Sequence, residues 1–173
     1  EQQRIISFLK NNGYASVQRD SVIALVKPDT LNAQNLLDIQ YRVNAGEVFR
    51  FGDIQVRLAD TEPPDNYSQH DTLKGPPYTR DSTNTVYLAK EPGAQSTFNL
   101  LSDQLLYRPG DLYNHSLYLE TINEFQNLGM LYIQRFSQNE NQSTPDFSQE
   151  EIPAYFDLRT ITKHSISTEL FGM

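Results

Sequence analysis

Hydrophobic and polar positions recur along this chain with two different periods, and each change of period marks an element. Residues 4–12 carry Ile5, Ile6, Phe8 and Leu9 at helical spacing, and Gly13 stands where a left-handed residue would close the helix. Residues 16–26 are rich in Val and Ile and read as a strand, broken by Lys27-Pro28-Asp29-Thr30. Leu37, Ile39, Tyr41 and Val43 then alternate with Asp38, Gln40, Arg42 and Asn44, which predicts a strand with one face on a core and the other in water. Ala45-Gly46-Glu47 turns the chain, and Phe49, Phe51, Ile54, Val56 and Leu58 predict the next strand.

From about residue 60 to 95 the periodicity dissolves among Pro63, Pro64, Pro76, Pro77, Pro92, Gly75 and Gly93, so a long irregular insertion is expected, with a short strand at 85–89. Ser96 suits the N-cap of a helix whose Phe98, Leu101 and Leu105 share a face, and Arg108-Pro109-Gly110-Asp111 ends it in a turn. Asn114 caps a second helix that sets Tyr118, Ile122 and Phe125 on one side, with Leu128 near its end and Gly129 as its stop. Leu131, Tyr132, Ile133 and Phe136 form a strand, residues 137–150 a polar loop, and Ile152, Ala154, Phe156 and Leu158 an antiparallel return strand.

One motif occurs twice. Ile6, Leu9, Asn11, Gly13, Val17, Gln18 and Arg19 reappear at a constant offset as Ile122, Phe125, Asn127, Gly129, Ile133, Gln134 and Arg135, which predicts a tandem array. The second unit reads strand, helix, helix, strand, strand. A crossover through its helices brings the third strand beside the first while the last two pair as a hairpin. The expected fold is therefore α+β: a three-stranded mixed sheet of order 1-3-2 with two helices on one face. The first unit holds only the last helix and two strands of that pattern, a truncated copy, and a helix pattern opening at the first residue reads as a piece of something longer. The expected divisions are 1–47 for the partial unit, 48–163 for the complete unit with its insertion at about 60–95, and a terminal segment at 164–173.

Composition narrows the chemistry. A net charge of −8, with no two Lys or Arg residues adjacent, argues against a nucleic-acid or anionic-membrane surface, so no nucleic-acid partner is expected. With no cysteine there is no disulfide, thiolate metal site or thiol nucleophile. No apolar run approaches the roughly 20 residues of a membrane-spanning helix. His70, His115 and His164 share no ligand spacing and read as surface histidines, so no metal or cofactor is expected. Neither a Gly-x-Ser-x-Gly elbow nor a glycine-rich phosphate loop occurs. The 22 acidic residues leave open a carboxylate pair of a small secreted carbohydrate-active enzyme, but they fall in loops and on polar strand faces, and the chain is read as no enzyme. Tyr107, Tyr113, Tyr118 and Tyr132 read as half-buried packing residues, or alternatively as a partner-contacting surface.

The β-α-α-β-β order, the run Tyr-Arg-Pro-Gly-Asp-Leu-Tyr-Asn at 107–114 and the helix ending Asn-Leu-Gly-Met resemble a POTRA domain of the BamA/TamA-type outer-membrane assembly proteins. Gly110, Asp111, Tyr113 and residues 125–130 approximate that family's Gly-Asp/Glu-x-Tyr turn and Leu-x-x-Leu-Gly-x-Phe helix end. Residues 165–172 resemble the lead-in to a C-terminal membrane barrel. The proline-rich insertion and Asn11-Asn12-Gly13-Tyr14 look most like the Bacteroidetes TamL-type branch; the chain departs from the wider family's pattern at Met130, where Phe or Tyr is usual, and at Met173, where Thr is usual.

The resemblance implies a scaffold on the periplasmic face of a Gram-negative outer membrane. It would assist insertion or translocation of outer-membrane proteins, with nascent outer-membrane proteins or periplasmic and inner-membrane assembly factors as partners. The alternatives are a POTRA module of a secretion transporter, or the secreted enzyme. In a 1-3-2 sheet the second strand is an edge whose unpaired N–H and C=O groups can template an extended segment by β-augmentation. That makes Leu131, Tyr132, Ile133, Gln134, Arg135 and Phe136 the candidate partner-binding residues of the complete unit. Ser21, Val22, Ile23, Ala24, Leu25 and Val26 are those of the partial one.

Overall fold

The computed structural model describes residues 1–28, 37–60, 67, 69–73, 85–94, 96–140, 142 and 144–161. Helix α1 (Gln2–Lys10) turns Ile6 into a small core with Val17 and Val22, around which Ile5, Leu9, Tyr14 and Ala45 pack. That core is too narrow to reach Phe8, expected on the same face, which stays 65% exposed. Gly13 has φ +94°, which side-chain-bearing residues rarely adopt, and a Cβ there would lie 2.7 Å from Leu112 Cδ1, so that exposed side chain would have to shift.

The strand expected over 16–26 begins later. Arg19–Ser21 is a 3-10 turn held by the Gln18 N–H donating to Ser21 Oγ at 3.1 Å, and β1 spans Val22–Pro28. Val17 is drawn into the small core as a loop anchor. The two copies of the motif thus agree in helix and glycine stop only: Val17, Gln18 and Arg19 precede their strand, whereas Ile133, Gln134 and Arg135 lie inside theirs. β1 pairs antiparallel with β2 (Leu37–Val43) as a two-stranded ribbon, from Val22 opposite Val43 to Pro28 opposite Leu37. The buried face predicted for Leu37, Ile39, Tyr41 and Val43 is bare, because the small core reaches the ribbon only at Val22.

Strand β3 (Arg50–Ala59) is the centre of a second sheet. β5 (Val86–Lys90) and β7 (Glu151–Thr160) flank it in parallel, β6 (Leu131–Ser137) lies antiparallel outside β7, and β4 (Gln69–Leu73) lies antiparallel outside β5. The predicted 1-3-2 order holds for β3, β7 and β6. The sheet has five strands rather than three, because the insertion supplies two of them. β5 is the short strand expected at 85–89. β4, whose Gln-His-Asp-Thr-Leu shows no apolar alternation, is a strand that the hydrophobic pattern does not announce. Much of the rest of the insertion, and the expected lead-in at 164–173, lie outside the described residues.

Helix α2 (Phe98–Asp103) is capped by Thr97, whose Oγ1 accepts the Leu100 N–H at 3.2 Å; Ser96, the expected cap, is buried one residue earlier. Helix α3 (His115–Asn127) takes its expected cap from Asn114, and Gly129 follows it with φ +65°. Leu101, Leu105, Tyr118, Ile122 and Phe125 from this side meet Ile54, Val56, Leu58, Ile152, Ala154, Phe156 and Leu158 in the main core. The two parts of the chain are tied together at the end of α1. The Gly13 N–H donates to the Tyr113 carbonyl at 2.9 Å, the Phe49 N–H to the Gly13 carbonyl at 2.8 Å, and Asn11 Oδ1 accepts the Ser116 N–H at 3.0 Å. Asn11 thereby caps the first turn of α3 from outside.

Candidate partner-binding edge

β6 follows α3 directly through the Gly129 stop and pairs on one side with β7, so that among the described residues its other side is the edge of the five-stranded sheet. Its side chains alternate: Leu131 is buried, Tyr132, Gln134 and Phe136 are exposed, and Ile133 and Arg135 are half-buried. The register breaks once. Ile133 lies opposite Leu158 and Arg135 opposite Asp157, so Gln134 is an extra residue, a β-bulge. Strict alternation from Ile133 would send Arg135 to the core side. The bulge brings it onto the open face, beside Asp157.

There the charged groups of three adjacent strands meet. Arg57 Nε donates to Asp157 Oδ1 at 2.7 Å and Arg57 Nη2 to Oδ2 at 3.1 Å, while Arg135 Nε donates to Oδ2 at 2.9 Å and Arg135 Nη1 to the Glu140 carbonyl at 2.9 Å. The hydrogen bond to Asp157 holds the Arg57 pKa above its ordinary value. With Tyr67 and Gln134 these three residues line a cavity of about 430 Å³. Burial pushes the Tyr67 phenol up. One row along, Arg159 Nη1 donates to Tyr132 Oη at 3.3 Å.

The second candidate edge is less uniform. Ser21 sits in the 3-10 turn and not in a strand, Val22 is buried, Leu25 is half-buried, and Ile23, Ala24 and Val26 are exposed on β1. The two candidate segments belong to separate sheets and do not converge on one site. Tyr107, Tyr113 and Tyr118, expected half-buried, are core residues; Tyr132 alone of the four is exposed, at 43%. His115 is half-buried rather than superficial, with Nδ1 3.0 Å from Tyr113 Oη, and burial together with nearby Lys10 lowers its pKa. The His70 side chain and His164 lie outside the described residues. Among the described residues no three His, Cys, Asp or Glu side chains converge to hold a metal. The bulge and the Arg57–Asp157–Arg135 group are what sequence reasoning missed. The residues were visible, but the pairing of 57 with 157 across a parallel crossover was not.

The elements from β3 to β7 thus form an α+β fold of strand-helix-helix-strand-strand order with a strand pair inserted at one edge. No protein-family model matches the chain, and no curated protein matches it in sequence. Among solved structures it is similar to POTRA1-3 of the periplasmic domain of Omp85 from Anabaena, at 9% identity and a TM-score of 0.43, covering 92% of this chain and 49% of that one. It is also similar to BamA POTRA3-5 of Haemophilus influenzae, at 13% identity and a TM-score of 0.28, covering 91% of this chain and 78% of that one. The chain spans about half the length of the Anabaena structure.

Proposed function

We propose that this chain is a non-catalytic, periplasmic POTRA-type scaffold of an outer-membrane barrel protein, with residues 1–47 a partial unit and 48–163 a complete one. It assists insertion or translocation of outer-membrane proteins by adding an extended segment of a client or assembly partner to the free edge of β6. The observation that carries this is the 1-3-2 order of β3, β7 and β6, which leaves β6 as an edge while the inserted β4 and β5 cover the far side of β3. The motif at 107–114 and the helix end at 125–130 support the family; the proline-rich insertion and Asn-Asn-Gly-Tyr point to the TamL-type branch. On this reading residues 164–173 are the lead-in to the barrel.

The test is a photoreactive residue placed in turn at 131–136, with controls on the outward face of α3 at Leu119, in the protein expressed in the periplasm. Crosslinks from β6 to newly exported barrel polypeptides are expected. Equal crosslinks from Leu119, or none to any exported polypeptide, would overturn the reading.

A further inference from the structure

We propose that the cavity beside β6 receives a side-chain carboxylate, so that the segment added to this edge carries an Asp or Glu across from Arg135. This rests on strand addition at β6. Two guanidinium groups share the single carboxylate of Asp157, leaving one positive charge in excess among the groups that line the cavity, in a chain whose net charge is −8; Glu140 is a more distant neighbour that contributes only its carbonyl to Arg135. Arg57 uses Nε and Nη2, and Arg135 uses Nε and Nη1, so Arg57 Nη1 and Arg135 Nη2 keep donors with no partner among the described residues. A carboxylate accepts from such paired guanidinium donors in a geometry that a neutral amide reproduces poorly.

Position argues for a side chain rather than a chain terminus. In an added strand the residue directly opposite Arg135 has its Cβ about 5 Å away, within reach of the cavity, while the strand runs on past it and keeps its ladder. A terminal carboxylate at that point would end the ladder halfway along β6. The bulge at Gln134 supplies the second line of evidence: it is what delivers Arg135 to the open face, and bulges re-aim side chains in this way. On the opposite face of β6 the exposed Phe136 and half-buried Ile133 call for apolar neighbours, so the preferred segment alternates apolar residues with polar ones and has its acid on the polar side.

The experiment measures binding of three short synthetic peptides to the 173-residue chain by fluorescence anisotropy. All share one alternating sequence and differ only in a central outward Glu, Gln or Lys; each also carries a photoreactive group. The Glu peptide is expected to bind about fivefold tighter than the Gln peptide, the scale of a partly exposed charge pair, and the Lys peptide weakest. In Arg135→Gln the Glu-to-Gln ratio collapses to about one, and Arg135→Lys restores part of it; Arg57→Gln, checked by circular dichroism, serves if Arg135→Gln does not fold. Equal binding of all three peptides with crosslinks still on 131–136 would overturn the carboxylate assignment while leaving strand addition standing. No peptide crosslinking to β6 would overturn strand addition itself. Sedimentation with phosphatidylglycerol vesicles that is lost in Arg135→Gln, without any preference among peptides, would reassign the cavity to a lipid headgroup and overturn the proposal.

Discussion

Replacing Tyr107 by Phe should stabilise this protein. The Tyr107 ring is 1% exposed and stacks on Phe51 with centroids 3.7 Å apart, yet its hydroxyl has no hydrogen-bond partner among the described residues. A buried hydroxyl left unpaired has given up water without compensation, which costs about 1–3 kcal/mol, and Phe keeps the ring contact while removing the group. The lower end applies, since a relaxing core recovers part of the loss; about 1 kcal/mol corresponds to a rise of about 2–4 °C in Tm for a chain of this size. Urea unfolding at pH 7 measures it directly. The effect has a pH signature as well. Burial raises the pKa of Tyr107, and also of Tyr113 and Tyr118, above the ordinary value near 10. A raised folded-state pKa means that the unfolded chain loses its protons first, so stability is intact below about pH 10 and falls as pH rises beyond it. Tyr107→Phe removes one of the raised phenols, the most deeply buried, and should lessen that alkaline loss. A lower Cm at pH 7 would refute the reasoning by showing that the hydroxyl makes a stabilising bond, and an unchanged alkaline slope would show that the phenol is not sealed from solvent.

Three further outcomes follow from packing. Ile122→Asp places a carboxylate in the main core without a partner and should remove several kcal/mol from a total of about 5–15, so circular dichroism should show the main sheet and its helices unfolded or close to it. Asn11→Ala removes both the Ser116 N–H acceptor and the donor to Ser116 Oγ, and should lower stability by about 1 kcal/mol in urea unfolding while speeding hydrogen exchange in the first turn of α3. Gly13→Ala forces a side chain into a positive-φ site against Leu112 and should cost about 1–3 kcal/mol, more than the same change at Gly129, where a Cβ meets nothing within 4 Å.

The elements that carry apolar periodicity were legible in the sequence. Tyr118, Ile122 and Phe125 lie on the buried side of α3, the hairpin of β6 and β7 forms as the alternation predicts, and the strand order follows from the crossover rule. What the pattern hides is of two kinds. β4 pairs antiparallel with β5, and its Gln-His-Asp-Thr run carries no apolar alternation to announce it. Alternation at Leu37, Ile39, Tyr41 and Val43 reports that one face is apolar, not that anything covers it. The candidate edge was legible as a strand order, but the bulge that aims Arg135 at Asp157 depends on the relative lengths of two paired strands, which no single run of residues encodes.

The bulge also separates folding from binding along β6. Proline removes a backbone donor and is tolerated in sheets mainly on edges and at bulges. Ile133 lies opposite Leu158 and packs against the main core, so Ile133→Pro strains a paired position and should lower stability by about 3 kcal/mol. Gln134 has no counterpart on β7, so Gln134→Pro takes little from the hairpin, and its unfolding midpoint should stay within about 1 kcal/mol of the native chain. If partners add to this edge through main-chain hydrogen bonds, the same Gln134→Pro change should nevertheless suppress crosslinking from Leu131 and Phe136, because a rigid ring replaces the donor midway along the strand that templates the partner. Retained fold with lost crosslinks is the expected pair of results. Undiminished crosslinking in folded Gln134→Pro would mean that partners are held by side chains alone, and the ladder along β6 would have no part in recognition.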